Sequence, residues 1–180
     1  MKRLLFYIVV LSCLLASCKP NTPRPTPQVQ QFDYGRVIRY GAFYAEGGLE
    51  NNVYELDIYS PGLKLNWQGY IEGSGYNLCF SDVFTLPTDS VLQEGVTYQA
   101  DSTGRADSFL PGKDYEGNIN GAYLLDITDG KINSITLFKN GTFVLTNHGD
   151  TTDITFELVT TSNTVYKASF HAPLYYKKQK

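Results

Sequence analysis

The segment that decides the fold is residues 135–145, ITLFKNGTFVL. Two apolar runs, Ile135-Thr136-Leu137-Phe138 and Phe143-Val144-Leu145, flank Lys139-Asn140-Gly141-Thr142. Both runs hold β-branched and aromatic residues, which suit a pleated, half-buried surface. Asn-Gly tolerates the positive φ values of a type I′ turn, so the segment predicts a β-hairpin.

The same pattern extends outward in both directions. Ile154-Thr155-Phe156-Glu157-Leu158 alternates apolar and polar without a break, and residues 165–170 place Tyr166, Ala168 and Phe170 on one side. Tyr123-Leu124-Leu125-Asp126-Ile127 and Val53-Tyr54-Glu55-Leu56-Asp57-Ile58-Tyr59 repeat it, the latter with Glu55 and Asp57 facing solvent. Asp129-Gly130, His148-Gly149-Asp150 and Thr161-Ser162-Asn163 supply turns. Residues 121–173 thus read as five consecutive antiparallel strands. Two or three more precede them, near residues 35–45, 53–59 and 76–86, and Tyr98 marks a short one. The expected fold is all-β: an antiparallel β-sandwich or closed β-barrel of about 8–10 short strands, which the pattern does not separate. Residues 32–180 form a single all-β domain in this reading. Residues 101–120 are polar and turn-rich and read as a long loop, a feature that is often functional.

Composition agrees. Charged residues make up 18% of the chain, below the roughly 25% of ordinary soluble domains, and the difference is filled by 16 Gly, 14 Tyr and many Thr, Ser and Asn. One Met and few runs of Ala, Glu or Lys argue against helices. Net charge is −3 with no basic face, so nucleic acid is excluded as an expected partner. The tail Lys177, Lys178 and Lys180 reads as a solvated end, with weak contact to anionic lipid as the alternative.

The first 17 residues read as a secretory signal. Lys2 and Arg3 give a positive start, residues 4–15 form an apolar run broken by Ser12, and Ala16 and Ser17 are small. The run is too short to span a bilayer comfortably. Leu15-Ala16-Ser17-Cys18 resembles the lipobox of bacterial lipoproteins. That resemblance implies cleavage before Cys18, a diacylglycerol on its thiol and an acylated new N-terminus, so palmitate-type lipid on Cys18 would anchor the protein. Two or more chains give stable anchoring where one is marginal. Lys19, where the family's sorting rule uses Asp for inner-membrane retention, implies an outer-membrane location on a face left open. Pro20, Pro23, Pro25 and Pro27 follow, four of the chain's eight prolines. They block helix and sheet, so residues 18–31 read as the lipidated cysteine and an extended tether reaching roughly 40 Å. A proline-rich ligand for a partner domain is the alternative. The domain behind the tether resembles small, Tyr- and Gly-rich all-β lipoproteins of Bacteroides-type bacteria, through Val-Tyr-Glu-Leu-Asp-Ile-Tyr, Leu-Pro-x-Asp-Ser and Glu-Gly-Val-Thr-Tyr. That likeness implies location and fold, not chemistry.

Little else points to chemistry. Cys13 leaves with the signal and Cys18 takes lipid, so Cys79 has no internal disulfide partner and reads as a buried, inert thiol. His148 and His171 are two isolated histidines, short of the three or four ligands a metal needs. Asp57 and Asp126 occupy equivalent Leu-Asp-Ile positions and would face the same way, a weak basis for hydrolysis. No cofactor motif is present, and no catalytic or metal site is expected. Asp89-Ser90-Val91, Asp101-Ser102-Thr103 and Asp150-Thr151-Thr152 match a short O-glycosylation pattern of Bacteroides-type bacteria, with Ser90 the candidate.

The remaining signal is aromatic. Trp67, Tyr70 and Tyr76 lie in NWQGYIEGSGY, residues 66–76, among glycines, amides and Glu72. Exposed, such rings stack on sugars; buried, Trp67 would cap the end of the core. The expected function is a non-enzymatic binding or accessory role for a glycan or envelope protein, through Trp67, Tyr70 and Tyr76. The alternatives are a structural or assembly component of the outer envelope and, third, a hydrolase using Asp57, Asp126 or His148.

Overall fold

A computed structural model describes residues 30–178. The signal segment, Cys18 and the prolines of the tether lie outside the described residues, as do Lys180 and the end of the basic tail. Fifteen strands run in chain order: β1 Gln30–Phe32, β2 Tyr34–Gly41, β3 Asn52–Tyr59, β4 Leu63–Leu65, β5 Ile71–Gly73, β6 Gly75–Thr85, β7 Thr97–Ala100, β8 Ser108–Phe109, β9 Lys113–Tyr115, β10 Asn118–Asn120, β11 Ala122–Thr128, β12 Lys131–His148, β13 Thr151–Thr160, β14 Val165–Ala172 and β15 Leu174–Lys178. A 3-10 turn, Ala45–Gly47, follows β2. The all-β expectation holds, and β1 starts two residues ahead of the predicted domain boundary.

Strands β6, β11, β12, β7 and β8 close into a five-strand barrel ring. From β12 the sheet continues through β13 and β14 to β1; from β6 it continues through β3 and β2 to β15. Three of the pairings are parallel: β1 with β14, β2 with β15, and β7 with β8. Asp33 and Pro173 are the points where the paired chain ends pass together from one wing to the other. Gly35 marks how tightly the wings meet, because a Cβ there would stand 2.7 Å from Phe170 and from Leu174.

One face of the curled sheet encloses the main core. Phe80 packs edge-on against Phe109 at 4.9 Å, and Tyr98 stacks on Phe143 at 4.7 Å. Val37, Leu56, Leu78, Phe138, Phe156 and Phe170 complete it. Burying a side chain of this size is worth about 2–3 kcal/mol, so this aromatic centre dominates the stability of the domain.

The predicted hairpin at Asn140-Gly141 does not form. Residues 131–148 are one strand of 18 residues. Its first half pairs with β11 and its second with β13 and β7, and the register shifts between Phe138 and Asn140. Asn140-Gly141 therefore makes a bulge that bends the strand from one neighbour to the next. Gly141 has φ 135°, and a Cβ there would lie 2.4 Å from the Glu157 carbonyl oxygen. The five expected strands of residues 121–173 are accordingly four. The expected long loop is not one either: residues 101–120 contribute β8 to the ring, with Phe109 fully buried, and the β9–β10 hairpin.

Candidate functional site

The face of the sheet turned away from the main core carries the chemistry. Along the β2–β3 pair, Tyr34, Arg36 and Ile38 stand opposite Tyr59, Asp57 and Glu55. The β4–β5 hairpin covers one end of this face, with Leu63, Leu65 and Ile71 packed on Tyr59, Leu125 and Ile127. Glu55 and Asp57 are therefore not solvated, which corrects the sequence reading. Asp57 is 5% exposed and receives a hydrogen bond from Arg36 Nη2. Arg36 Nη2 also reaches Glu55 Oε1 at 3.3 Å, while the Tyr40 hydroxyl donates to Glu55 Oε2 at 2.7 Å. Burial, and then the neighbouring Asp57 charge, push the Glu55 carboxyl up to about 7. Burial opposes the Arg36 charge, but hydrogen bonding and attraction to Asp57 outweigh it and raise its pKa.

At the other end of this face the surface is concave. A cleft of about 250 Å³ is lined by Tyr40, Phe43, Tyr44, Glu55, Ser81, Asp82 and Asn120, with Val53. It adjoins a second hollow of about 450 Å³ that shares Tyr44, Asp82 and Asn120 and adds Lys113 and Tyr115. The walls are the residues after β2, held by the 3-10 turn, and the β9–β10 hairpin. Tyr44 donates to Asp82 at 2.6 Å, and Ser81 donates to the same carboxylate at 2.8 Å. Ser81 Oγ also accepts the Gly121 N–H at 2.7 Å, which ties the base of the hairpin to β6. Phe43 packs edge-on against Tyr44 at 4.9 Å, and Lys113 sits 4.5 Å above the Tyr115 ring.

The predicted aromatic trio is divided. Trp67 and Tyr70 lie at the tip of the β4–β5 hairpin, 91% and 67% exposed. Trp67 is not a core cap. Asn66 braces the tip: its Oδ1 accepts the Gln68 and Tyr70 N–H groups at 3.0 Å each, and its Nδ2 donates to Glu72 at 2.9 Å. Tyr76 opens β6 opposite Asp126 and shares the face of Leu78 and Phe80, so it stands on the opposite side of the sheet from the hairpin.

The other candidates also move. Asp57 pairs across β3–β6 with Cys79, whereas Asp126 pairs across β11–β6 with Tyr76. Cys79 and Tyr76 differ by an odd number of positions, so the two aspartates face opposite ways. Cys79 is buried, and burial followed by the Asp57 charge raises its thiol well above the ordinary value. His148 and His171 are not isolated: both pair with Asp153, His148 Nε2 at 3.1 Å. Hydrogen bonding from His171 lowers the Asp153 pKa. Each ring spends a nitrogen on that carboxylate, and among the described residues no group of three His, Cys, Asp or Glu is placed to hold a metal ion. Ser90 is exposed.

Sequence reasoning missed the cleft. Its signals were present, however: the aromatic pair Phe43-Tyr44 beside a Gly-rich turn, and the polar segment 101–120 with Tyr115 and Asn120. No family model, no curated protein and no solved structure matches this chain.

Proposed function

We propose that this protein is a lipid-anchored cell-envelope protein with a binding or accessory role, tethered to the outer membrane through lipid on Cys18, with a glycan as its ligand. The observation that carries this reading is the exposure of Trp67 on a hairpin whose tip is fixed by Asn66. The Asn66 bonds fix the backbone that presents the ring, which leaves less of the tip to be ordered on binding. Tyr70, Gln68 and Glu72 beside it supply a second ring and polar groups for hydroxyls. Tyr76 is not part of the platform.

A non-catalytic role is supported by the state of the reactive groups. Asp57 is committed to Arg36, and both oxygens of Glu55 are engaged, by Arg36 and Tyr40. Cys79 is buried with its thiol held protonated. A general base or nucleophile needs an unengaged atom within reach of substrate.

The test is a glycan array probed with the wild type and with Trp67→Ala. Wild-type binding that Trp67→Ala loses supports the reading; equal binding by both, or by neither, contradicts it. A structural or assembly role is the second reading. It draws on β15, which among the described residues pairs with β2 alone and presents the exposed Tyr175 and Tyr176. An open strand edge is a template for pairing with another chain. Recovery of a stoichiometric envelope partner, lost when Tyr175 and Tyr176 are changed to Lys, would favour it.

A further inference from the structure

We propose that the cleft between the Ala45–Gly47 turn and the β9–β10 hairpin is a second binding site, which takes an uncharged, hydroxyl-bearing ring such as a hexose unit of a neutral oligosaccharide. The inference does not depend on the reading of the Trp67 tip, because the two places share no residue.

Shape comes first. The two adjoining hollows, about 250 and 450 Å³, share Tyr44, Asp82 and Asn120, and the larger falls in the range of pockets that hold small molecules. Their rims are apolar rings that face water: Phe43 is 62% exposed and Tyr115 49%. Deeper in, the lining is polar, with the carboxyl groups of Glu55 and Asp82, and the exposed Asn120 amide adds to the wall. Rings at the rim over acceptors at the floor match a sugar, which offers C–H faces for stacking and hydroxyls for hydrogen bonds.

The floor is preorganised. Asp82 is fixed by Tyr44 and Ser81, and Glu55 by Tyr40 and Arg36. Carboxylate oxygens accept more than one hydrogen bond, so the Asp82 oxygens can take a ligand hydroxyl without giving up Tyr44 or Ser81. Charge decides the ligand class. Asp82 lines the cleft beside Glu55, while the one lysine on the rim, Lys113, is placed over the Tyr115 ring. An acidic sugar would bring a like charge toward the floor, which disfavours it.

The full-length chain in detergent, labelled with nitrogen-15, is titrated with maltotriose, mannotriose and cellotriose, and with tri-galacturonate as the acidic control. The expected result is saturable shifts from at least one neutral trisaccharide in the amides of residues 42–47 and 113–121. Phe43→Ala and Tyr115→Ala, both rim residues whose loss should leave the remaining spectrum unchanged, should each weaken that binding at least fivefold. Trp67→Ala should leave it unchanged, and tri-galacturonate should bind at least tenfold more weakly. No shift in these amides with any neutral trisaccharide would overturn the proposal. So would equal binding of the acidic control, or full affinity in both rim variants. Shifts confined to residues 66–70 would favour the hairpin tip and equally overturn this site.

Discussion

Arg36 on β2 and Asp57 on β3 face each other across one antiparallel pair, and the guanidinium donates to a carboxylate that is almost wholly buried. The pair lies between the Trp67 hairpin and the cleft, on the same side of the sheet. Removing only the cation leaves a buried, uncompensated charge. Arg36→Met should therefore cost about 3–5 kcal/mol. Replacing both partners, as Arg36→Met with Asp57→Leu, should recover most of that loss. Denaturant melts of the two variants and the wild type check this; equal loss in both would mean that the pair itself, rather than the orphaned charge, is what matters.

Glu55 makes stability depend on pH in a stated direction. Its folded pKa of about 7 lies above the unfolded value of roughly 4.3. Below about pH 4 both states carry the proton and the full stability is present. Between about pH 4 and 7 the folded state alone holds it, so stability falls as pH rises, by at most about 4 kcal/mol and by less where solvent screens the part-exposed side chain. Glu55→Gln keeps a neutral side chain at every pH. Its stability relative to the wild type should therefore climb from pH 4.5 to pH 7.5, as measured by urea melts at both; a constant difference would contradict the assignment.

Gly141→Val should destabilise by more than about 2 kcal/mol, because φ 135° is closed to a β-branched residue and a Cβ would meet Glu157 and Leu158 backbone atoms at 2.4 and 2.6 Å. Gly149→Ala is the control. That glycine also has positive φ, at 65°, but open space around its Cβ position, so its cost should be about 1 kcal/mol. Thermal melts of both variants distinguish the crowded bulge from an ordinary turn.

The Asn140-Gly141 bulge also explains which parts of the fold were legible. Alternation placed β3, β11, β13 and β14 correctly, because a strand with one face on the core must alternate. The Asp129-Gly130 and Gly149-Asp150 turns were read for the same local reason. Asn140-Gly141 carries the same dipeptide chemistry, yet whether the chain reverses or merely bends there depends on pairing with β13 and β7, which lie outside the segment. Glu55 and Asp57 were misread for a related cause. Their polar face alternates as a solvated one does, but Arg36, Tyr40 and the β4–β5 hairpin arrive from elsewhere to cover it. The Phe43-Tyr44 pair and the polar segment 101–120 were visible as separate signals, but that Tyr44, Asp82 and Asn120 meet in one cleft follows only from the sheet.

Cys79 should be inert in the folded protein. It is buried in β6 with its thiol held protonated, and the thiolate is the reactive form. A Cys13→Ser/Cys18→Ser protein, whose one thiol is Cys79, treated with a thiol reagent at pH 8 should label only on addition of denaturant. Rapid labelling under native conditions would contradict the placement of β6 against β3 and β11.

Trp67 is the chain's one tryptophan, so its emission reports a single place. Fluorescence of the full-length protein, titrated with host and bacterial glycans, is the most direct test of a binding role at the hairpin tip. The free protein should emit at the red-shifted position of a solvated indole, and one glycan should shift or quench that emission saturably. Blue-shifted emission in the free protein, or red-shifted emission that no glycan alters, would contradict the account.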